Sequence, residues 1–341
     1  MLPDDAVLPD DAVLLDVAVL PDVAVLPDDA ALPVTAESGR PGTGRPGVLE
    51  RIPAPALFLA SGCTQYYGAV LAVGLFAVLP AASVAWWRLA VSAAILLIWR
   101  RPWRQPWTAR ELGASALFGV VLATMNVAFY VAIAHLPLGT AVAIEFLGPV
   151  AVAAATGRGW RDRVGIALAA AGVVLLAGVQ LEGGLTADVV IGLAAIFASG
   201  AAWAGYIVLG RRIAVRRDGI SSLAVGMTAG AVLYAPLAIG TVVPVVTDLF
   251  LAVSIVGIAA LSSVIPYVFE QVVLRRVSAA RFAILLALLP VTAAVVGAVF
   301  LSQRPSALEV LGMALVCVAI VLSGDRSGAA DRPEAPAPPI P

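Results

Sequence analysis

Two charged side chains lie inside long apolar stretches of the sequence, where they could do chemistry. Arg88 follows Trp86 and Trp87 in one stretch, and Glu145 lies four residues before Pro149 in another. A guanidinium group in the middle of a hydrocarbon layer costs about 2.5–3.5 kcal/mol, so it needs a carboxylate or water nearby. Two interpretations of Arg88 follow, namely a buried ion pair with a carboxylate such as Glu145, and a binding site for the carboxylate of a substrate.

Glu145 is a candidate for both substrate binding and proton coupling. A spacing of four residues places Glu145 and Pro149 on the same face of a helix. Proline has no N–H, so Pro149 is expected to interrupt the helix and leave the carbonyl group of Glu145 without its helical partner. A carboxylate beside a free carbonyl oxygen could bind an ammonium group or a proton. The alternative is a structural partner for Arg88.

Glu270 is a second candidate for proton coupling. It follows Pro266 by four residues, which repeats the spacing of Glu145 and Pro149 in the reverse order. It also lies five residues before Arg275, so the alternative is a side chain that extends to the membrane surface. Pro149, Pro266 and Pro290 are all predicted to interrupt helices.

Further polar and aromatic side chains in the apolar stretches could line a cavity for a small molecule. They are Gln65, Tyr66, Asn126, Tyr130, Trp203, Tyr206 and Tyr267. For each of them, ordinary packing or a position at the membrane interface is the alternative. Two cysteines far apart and a single histidine predict no metal site, and no cofactor is expected. No GxxxxGK[ST] loop occurs in the sequence, so no nucleotide-hydrolysing domain is predicted to drive the protein.

Composition places these residues in a membrane. The 341 residues are 61% hydrophobic and 13% charged, with a mean hydropathy of +0.99, which leaves too few polar residues to cover a soluble surface. Apolar runs long enough to cross about 30 Å of hydrocarbon follow one another. We predict ten transmembrane helices, at residues 55–76, 80–99, 112–134, 138–157, 164–181, 188–209, 221–243, 249–273, 279–301 and 306–323.

Arginine placement predicts the orientation of these helices. The chain has no lysine, and 19 of its 21 arginines precede the first span, follow the last or occupy alternate loops. The opposite loops hold only Arg304, and Arg88 lies within a span. Because basic loops remain in the cytoplasm, both termini are predicted to be cytoplasmic.

The two halves of the chain resemble each other. Leu59-Ala-Ser-Gly62 opens the first half as Phe197-Ala-Ser-Gly200 opens the second, and Pro149 and Pro290 fall at matching points. Five spans per half is an odd number, so the halves are predicted to be inverted repeats, a construction typical of secondary transporters.

These repeats define the domain organisation that we predict. The repeats are assigned to residues 51–182 and 183–324. An acidic low-complexity tail covers residues 1–50 and a Pro-rich tail covers 325–341, and both are predicted to be disordered. The repetitive acidic tail also leaves open a true start codon further downstream.

Several motifs carry a resemblance to a known family. They are Met125-Asn-Val-Ala-Phe-Tyr130, Leu136-Pro-Leu-Gly139, Ala143-Ile-Glu-Phe-Leu-Gly-Pro-Val150, Gly200-Ala-Ala-Trp-Ala-Gly-Tyr206 and Ile265-Pro-Tyr-Val-Phe-Glu270. The sequence over about 55–323 resembles the drug/metabolite transporter superfamily with two EamA-type domains, and within it the inner-membrane threonine/homoserine exporters of the Rht type. The resemblance implies a proton-coupled exporter of small amino acids or related metabolites, with alternating access. It implies lipid, protons and a small-molecule substrate as partners, no nucleic acid, and a monomer or homodimer.

Two other functions are considered. A drug or nucleotide-sugar carrier of the same fold would require more basic residues than Arg88 near the middle of the membrane, because its cargo carries phosphates or more aromatic surface. A membrane-embedded enzyme would require an acid–base or metal constellation at a membrane face. One histidine and scattered single carboxylates do not supply it.

Overall fold

The fold is built from α-helices in the part of the chain that the structure describes. This computed structural model describes residues 52–156, 160–182, 184–214, 219–266, 269, 273 and 285–324. The chain divides into two units, Met1–Arg45 and Pro46–Pro341, and every described residue belongs to the second. No strand occurs among these residues. The prediction of an all-α protein is thus confirmed.

Six α-helices are described before residue 183. Pro53 and Pro80 immediately precede the first two, where a missing N–H leaves no helical bond unmade. Thr108 begins the third with a reciprocal pair of hydrogen bonds to Glu111. The helices are α1 Ala54–Leu75, α2 Ala81–Arg100, α3 Ala109–His135, α4 Leu138–Glu145, α5 Leu147–Thr156 and α6 Trp160–Leu181.

The second part of the chain contains shorter helices. The described helices are α7 Ala187–Ala214, α8 Gly219–Leu233, α9 Val242–Thr247, α10 Leu249–Ala259, α11 Leu288–Phe300 and α12 Ala307–Gly324. A 3₁₀ turn, Ala235–Ala238, follows α8. A π-helical turn, Ala260–Val264, continues α10.

Within the described ranges, five helices are long and apolar enough to cross a membrane, judged by length and composition. They are Ala54–Leu75, Ala81–Arg104, Ala109–His135, Arg163–Leu181 and Ala187–Leu209. Five shorter apolar helices of 10–17 residues are Leu138–Val152, Ile220–Leu233, Leu249–Val264, Leu288–Phe300 and Ala307–Leu322. Each of the ten overlaps one of the apolar runs in the sequence.

The prediction of one continuous helix over 221–243 was wrong. Helix α8 ends at Leu233 and the 3₁₀ turn begins two residues later. Pro236 is the physical reason, because it cannot donate to the preceding turn and its ring collides with that turn's carbonyl group. Gly240 then adopts a φ of +82°, which turns the chain into α9.

Helix α3 is the centre of the packing, since it contacts both α7 and α8 along its length. It crosses α8 at Gly119 and Gly226, where a Cβ atom on Gly119 would overlap the carbonyl group of Gly226. Such direct backbone contact is typical of helices that pack within membranes. Large apolar side chains such as Val174 and Val299 are 70% and 66% exposed on the outside of the bundle. An apolar exterior of this kind suits lipid as solvent.

Candidate substrate site

Arg88 is positioned by three hydrogen bonds that hold α2 against the end of α8 and the segment after it. Ser83 donates to the carbonyl oxygen of Leu237 at 2.6 Å. The indole of Trp86 donates to the carbonyl oxygen of Ala231 at 2.7 Å, and that of Trp87 donates to Thr241 Oγ1 at 3.0 Å. The two tryptophans beside Arg88 therefore attach α2 to α8 and to the segment after it. Arg88 extends from α2 into the bundle.

The guanidinium group of Arg88 is buried against α3. Its Nη2 donates to Oδ1 of Asn126, and its central carbon lies 4.7 Å from the ring centroid of Tyr130. Asn126 and Tyr130 are four residues apart, so they share one face of α3. Arg88 is 8% exposed, and its Nε has no hydrogen-bond partner among the described residues. A buried guanidinium group with an unused donor is prepared to bind an anion.

Asn126 is itself oriented by its own helix. Its Nδ2 donates to the carbonyl oxygen of Leu122 at 2.7 Å, so Oδ1 faces Arg88. The amide group then has a donor and an acceptor that are both used, which fixes its direction. Asn126 is thus a neutral partner that holds the guanidinium group while leaving its positive charge uncompensated.

Glu145 is the last residue of α4 and is 8% exposed. Its Oε1 is hydrogen-bonded to Ser199 Oγ on α7. Arg88 and Glu145 both lie against Met125 and Asn126 of α3, Arg88 through Asn126 and Glu145 through Ser199. However, the two side chains form no ion pair with each other, whereas His135 and Asp188 pair at 3.1 Å. One of the two interpretations of Arg88 was an ion pair with Glu145, and the structure does not contain this direct pair.

The helix is interrupted directly after Glu145. Helix α4 ends there, Phe146 forms a turn, and α5 begins at Leu147. Pro149 is the third residue of α5, where its missing N–H leaves no helical bond unmade. Pro290 is likewise the third residue of α11, which follows a turn at Ala287. Pro266 comes two residues after the π-helical turn.

The chain packs tightly on α7 at this interruption. A Cβ atom on Gly200 would lie 3.1 Å from the carbonyl oxygen of Glu145, and one on Gly148 would collide with the carbonyl oxygen of Gly200. Small residues on both sides therefore bring the end of α4 and the start of α5 against α7. This close approach brings Ser199 to Glu145.

The two Ala-Ser-Gly motifs make matching contacts. Ser199 donates to the carbonyl oxygen of Met125 at 2.9 Å, and the next residue, Gly200, packs on the α4–α5 turn. Ser61 donates to the carbonyl oxygen of Pro266 at 3.4 Å, and the next residue, Gly62, packs on α11. Only the contact at Ser199 includes a carboxyl group.

The aromatic candidates are distributed over several places. Trp203 packs edge-on against Phe146, with ring centroids 4.7 Å apart, so it borders the turn after Glu145. Tyr206 stacks on Phe118 at 4.7 Å, one helical turn further along α7. Tyr66 is 3% exposed within the main core.

Of the remaining candidates, only Gln65 lies among the described residues. Gln65 is half-buried, and its backbone carbonyl group accepts a hydrogen bond from Ser262 at 3.3 Å. Tyr267 and Glu270 lie outside the described residues. The structure therefore brings together Arg88, Asn126 and Tyr130, and places Glu145 with Trp203 beside them.

Sequence reasoning missed two residues that matter here, Ser199 and Glu309. Ser199 is part of a motif that the sequence marks only as a repeat signal. A neutral serine in a membrane helix has no large energetic cost that would single it out. Glu309 accepts from Thr140 at 3.0 Å, from Gln180 at 2.9 Å and from the backbone N–H of Ser306 at 2.8 Å. The spacing of Ser306 and Glu309 is a capping-box signal that could have been found. With these bonds satisfied, Glu309 joins α12, α4 and α6 as a structural residue.

The described residues form an α-helical bundle with an apolar exterior and buried charged side chains, which defines the class of multi-pass membrane proteins. The sequence model of the EamA-like transporter family matches residues 190–324. The threonine/homoserine exporter RhtA of Salmonella typhimurium strain LT2 is 31% identical over 268 residues, which are 79% of this chain and 90% of that protein. The threonine/homoserine exporter RhtA of Escherichia coli strain K12 is 31% identical over 277 residues, or 80% and 93% of the two chains.

The chain therefore belongs to the drug/metabolite transporter superfamily, in the EamA-like family that includes the exporters of the Rht type. It is an exporter and a multi-pass protein of the inner membrane, and its relatives are named as exporters rather than enzymes. A solved crystal structure of a protein that is 19% identical superposes with a TM-score of 0.48 over 80% of this chain and 99% of that chain.

Proposed function

We propose that this protein exports small amino acids, such as threonine or homoserine, in exchange for protons. The observation that carries the proposal is that Arg88 and Glu145 are both buried against the same segment of α3 and do not pair with each other. Arg88 contacts this segment through Asn126, and Glu145 does so through Ser199, which bonds to Met125. A small zwitterion complements both, because its carboxylate suits the guanidinium group of Arg88 and its ammonium group suits the carboxylate of Glu145. The relatives named as threonine/homoserine exporters support this class of substrate.

Proton exchange is proposed because Glu145 is the carboxyl group that the described residues place at the site. Glu145 can hold a proton or the ammonium group of a substrate, and each excludes the other. A carrier in which both ligands compete for one group moves them in opposite directions when the site opens alternately to the two sides. Glu270 is a second proposed proton-binding group on the same reasoning from sequence.

The proposed architecture is ten membrane-crossing segments in two inverted halves, 51–182 and 183–324. The five long and five shorter apolar helices supply ten segments. The matching contacts of Ser61 and Ser199, and the matching positions of Pro149 and Pro290, support the repeat. The arginine distribution supports cytoplasmic termini.

The proposed substrate site contains Arg88, Asn126, Tyr130 and Glu145, with Trp203 at its edge. Gln65, Tyr66, Tyr206 and Tyr267 are proposed as further substrate-binding residues. Pro149, Pro266 and Pro290 are proposed as the positions at which helices change direction during transport.

The test is transport by the purified protein in liposomes with an imposed pH gradient. We expect labelled threonine or homoserine to move against its gradient when protons move the other way, and an uncoupler to stop this movement. Glu145→Gln should abolish the proton-driven movement, because the amide cannot bind and release a proton. Glu182→Gln is the control, since Glu182 is exposed at the end of α6. Export of a nucleotide sugar but not of amino acids would overturn the assigned substrate class.

A further inference from the structure

Ser199 has one hydroxyl proton and two neighbouring acceptors. Its Oγ is 2.9 Å from the carbonyl oxygen of Met125 and is also hydrogen-bonded to Glu145 Oε1. The residue is fully buried, at 0% exposure. A carbonyl oxygen can only accept, and a hydroxyl group donates its one proton to one acceptor at a time. Both contacts are hydrogen bonds at once only when Glu145 carries a proton and donates it to Ser199.

We propose that Ser199 is a positioning residue that transmits the protonation state of Glu145 to α3. With Glu145 protonated, its O–H donates to Ser199 Oγ, and Ser199 donates to the carbonyl oxygen of Met125. With Glu145 ionised, Ser199 turns its proton to the carboxylate and the bond to Met125 is lost. One proton binds or leaves at Glu145, and the hydroxyl group of Ser199 rotates. The inference rests on the proposed function, because it takes Glu145 as the proton-binding group.

The change in the bond between Ser199 and Met125 lies one residue away from the partner of Arg88. Met125 directly precedes Asn126, whose side chain accepts from Arg88. A proton on Glu145 therefore attaches α3 to α7 beside the residue that orients Arg88, and it removes the carboxylate that would bind an ammonium group. Loss of the proton breaks the bond between Ser199 and Met125 on α3 and leaves Glu145 as a charged carboxylate. The two halves of a zwitterion site thus become available together.

The other charged and titratable groups of the neighbouring helices do not take over this role. Arg88 is bonded to Asn126, and Tyr130 lies under its guanidinium group. Glu309 is bonded to Thr140, five residues before Glu145 on α4. On the described residues of α3, α7 and α12, His135 pairs with Asp188, and Cys317 donates to the carbonyl oxygen of Ala287. Ser199 is thus the residue that links Glu145 to α3.

The chain supplies a matched control for this inference. Ser61 lies in the corresponding Ala-Ser-Gly motif and donates to the carbonyl oxygen of Pro266 at 3.4 Å. At the point that matches Glu145, four residues before Pro290, the sequence has Leu286. Ser61→Ala therefore removes a buried hydroxyl group of the same kind without touching a carboxyl group.

The experiment is infrared difference spectroscopy of the protein in lipid during a pH titration. The C=O band of a protonated carboxylic acid is assigned to Glu145 by its loss in Glu145→Gln. We expect Ser199→Ala to change the frequency of this band and to displace its pH midpoint by about 0.5–1 unit, because the carboxyl group loses one hydrogen-bond partner. Ser61→Ala should leave both unchanged. Ser199→Thr, which keeps the hydroxyl group, should restore the wild-type band and also serves if Ser199→Ala does not fold.

The outcomes separate this inference from the proposed function. An export pH profile that is unchanged in Glu145→Gln would remove Glu145 as the proton site and overturn both. A profile that is abolished in Glu145→Gln but identical in Ser199→Ala and Ser61→Ala would overturn only the role of Ser199. A displaced profile and a displaced band in Ser199→Ala alone would support it.

Discussion

The guanidinium carbon of Arg88 lies 4.7 Å from the ring centroid of Tyr130, a side chain that is 1% exposed. The contact places a cation over the negative face of an aromatic ring in surroundings without bulk water. It stabilises the charge of Arg88 without neutralising it. The same is true of the hydrogen bond from Arg88 to Asn126. Two neutral partners therefore preserve a positive charge that an ion pair would cancel.

Tyr130→Leu should weaken substrate binding more than Tyr130→Phe does. Phenylalanine keeps the ring beneath Arg88, whereas leucine removes a contact of about 0.5–2 kcal/mol, which corresponds to roughly a 2- to 30-fold rise in KM. Export of labelled threonine by proteoliposomes gives KM and the maximal rate for each variant. Equal effects of the two substitutions would show that the ring does not act on the cation.

Asn126→Asp should inhibit export more strongly than Asn126→Ala. The new carboxylate would pair with Arg88 and take the place proposed for the carboxylate of the substrate, since buried charged pairs of this kind are strong. The expected result is at least about a tenfold loss of kcat/KM for Asn126→Asp. The amount of folded protein in the membrane, measured by size-exclusion chromatography in detergent, is the control. Full activity in Asn126→Asp would contradict the assignment of Arg88.

Gly119→Ala should destabilise the protein, and Gly113→Ala should not. A Cβ atom on Gly119 would overlap the backbone of Gly226 on α8, whereas one on Gly113 meets nothing within 4 Å. Alanine is also the better helix former by about 0.5–1 kcal/mol, so Gly113→Ala should be neutral or slightly stabilising. Thermal unfolding in detergent measures both variants. A Tm for Gly119→Ala at or above that of the wild type would mean that the two helices do not cross as described.

Glu309→Gln should lower stability while leaving the pH dependence of export unchanged. The amide group can keep one set of bonds through its oxygen, but its NH₂ group would then face the N–H of Ser306, which only donates. One unsatisfied buried group costs about 1–3 kcal/mol. The Tm in detergent and the pH profile of export are the two measurements. A displaced pH profile would instead place Glu309 in the proton path.

The fold was largely predictable because the composition of a membrane helix is dictated by its solvent. Each of the ten apolar helices overlaps a predicted run, and the resemblance to the drug/metabolite transporter superfamily is confirmed by relatives over four-fifths of the chain. The helix over 221–243 was predicted incorrectly, because hydropathy does not register the effect of Pro236 on the backbone. The inverted arrangement of the two halves stays a prediction.

The charged residues of the site could be predicted from the sequence, but their hydrogen-bond partners could not. Burial in hydrocarbon is costly for Arg88 and Glu145 whatever their neighbours are, so the sequence alone singles them out. Ser199 carries no such cost and was not found. Its importance comes from contacts with residues that are 54 and 74 positions away in the chain.

The sequence by itself therefore determined that this is a helical membrane protein, which residues carry charge within it and which family it resembles. Those properties depend on single residues and their near neighbours. Only the tertiary structure decided that Arg88 bonds to Asn126 rather than to Glu145, and that Glu145 bonds to Ser199. These choices depend on how closely helices approach one another, and small residues such as Gly148 and Gly200 set that distance.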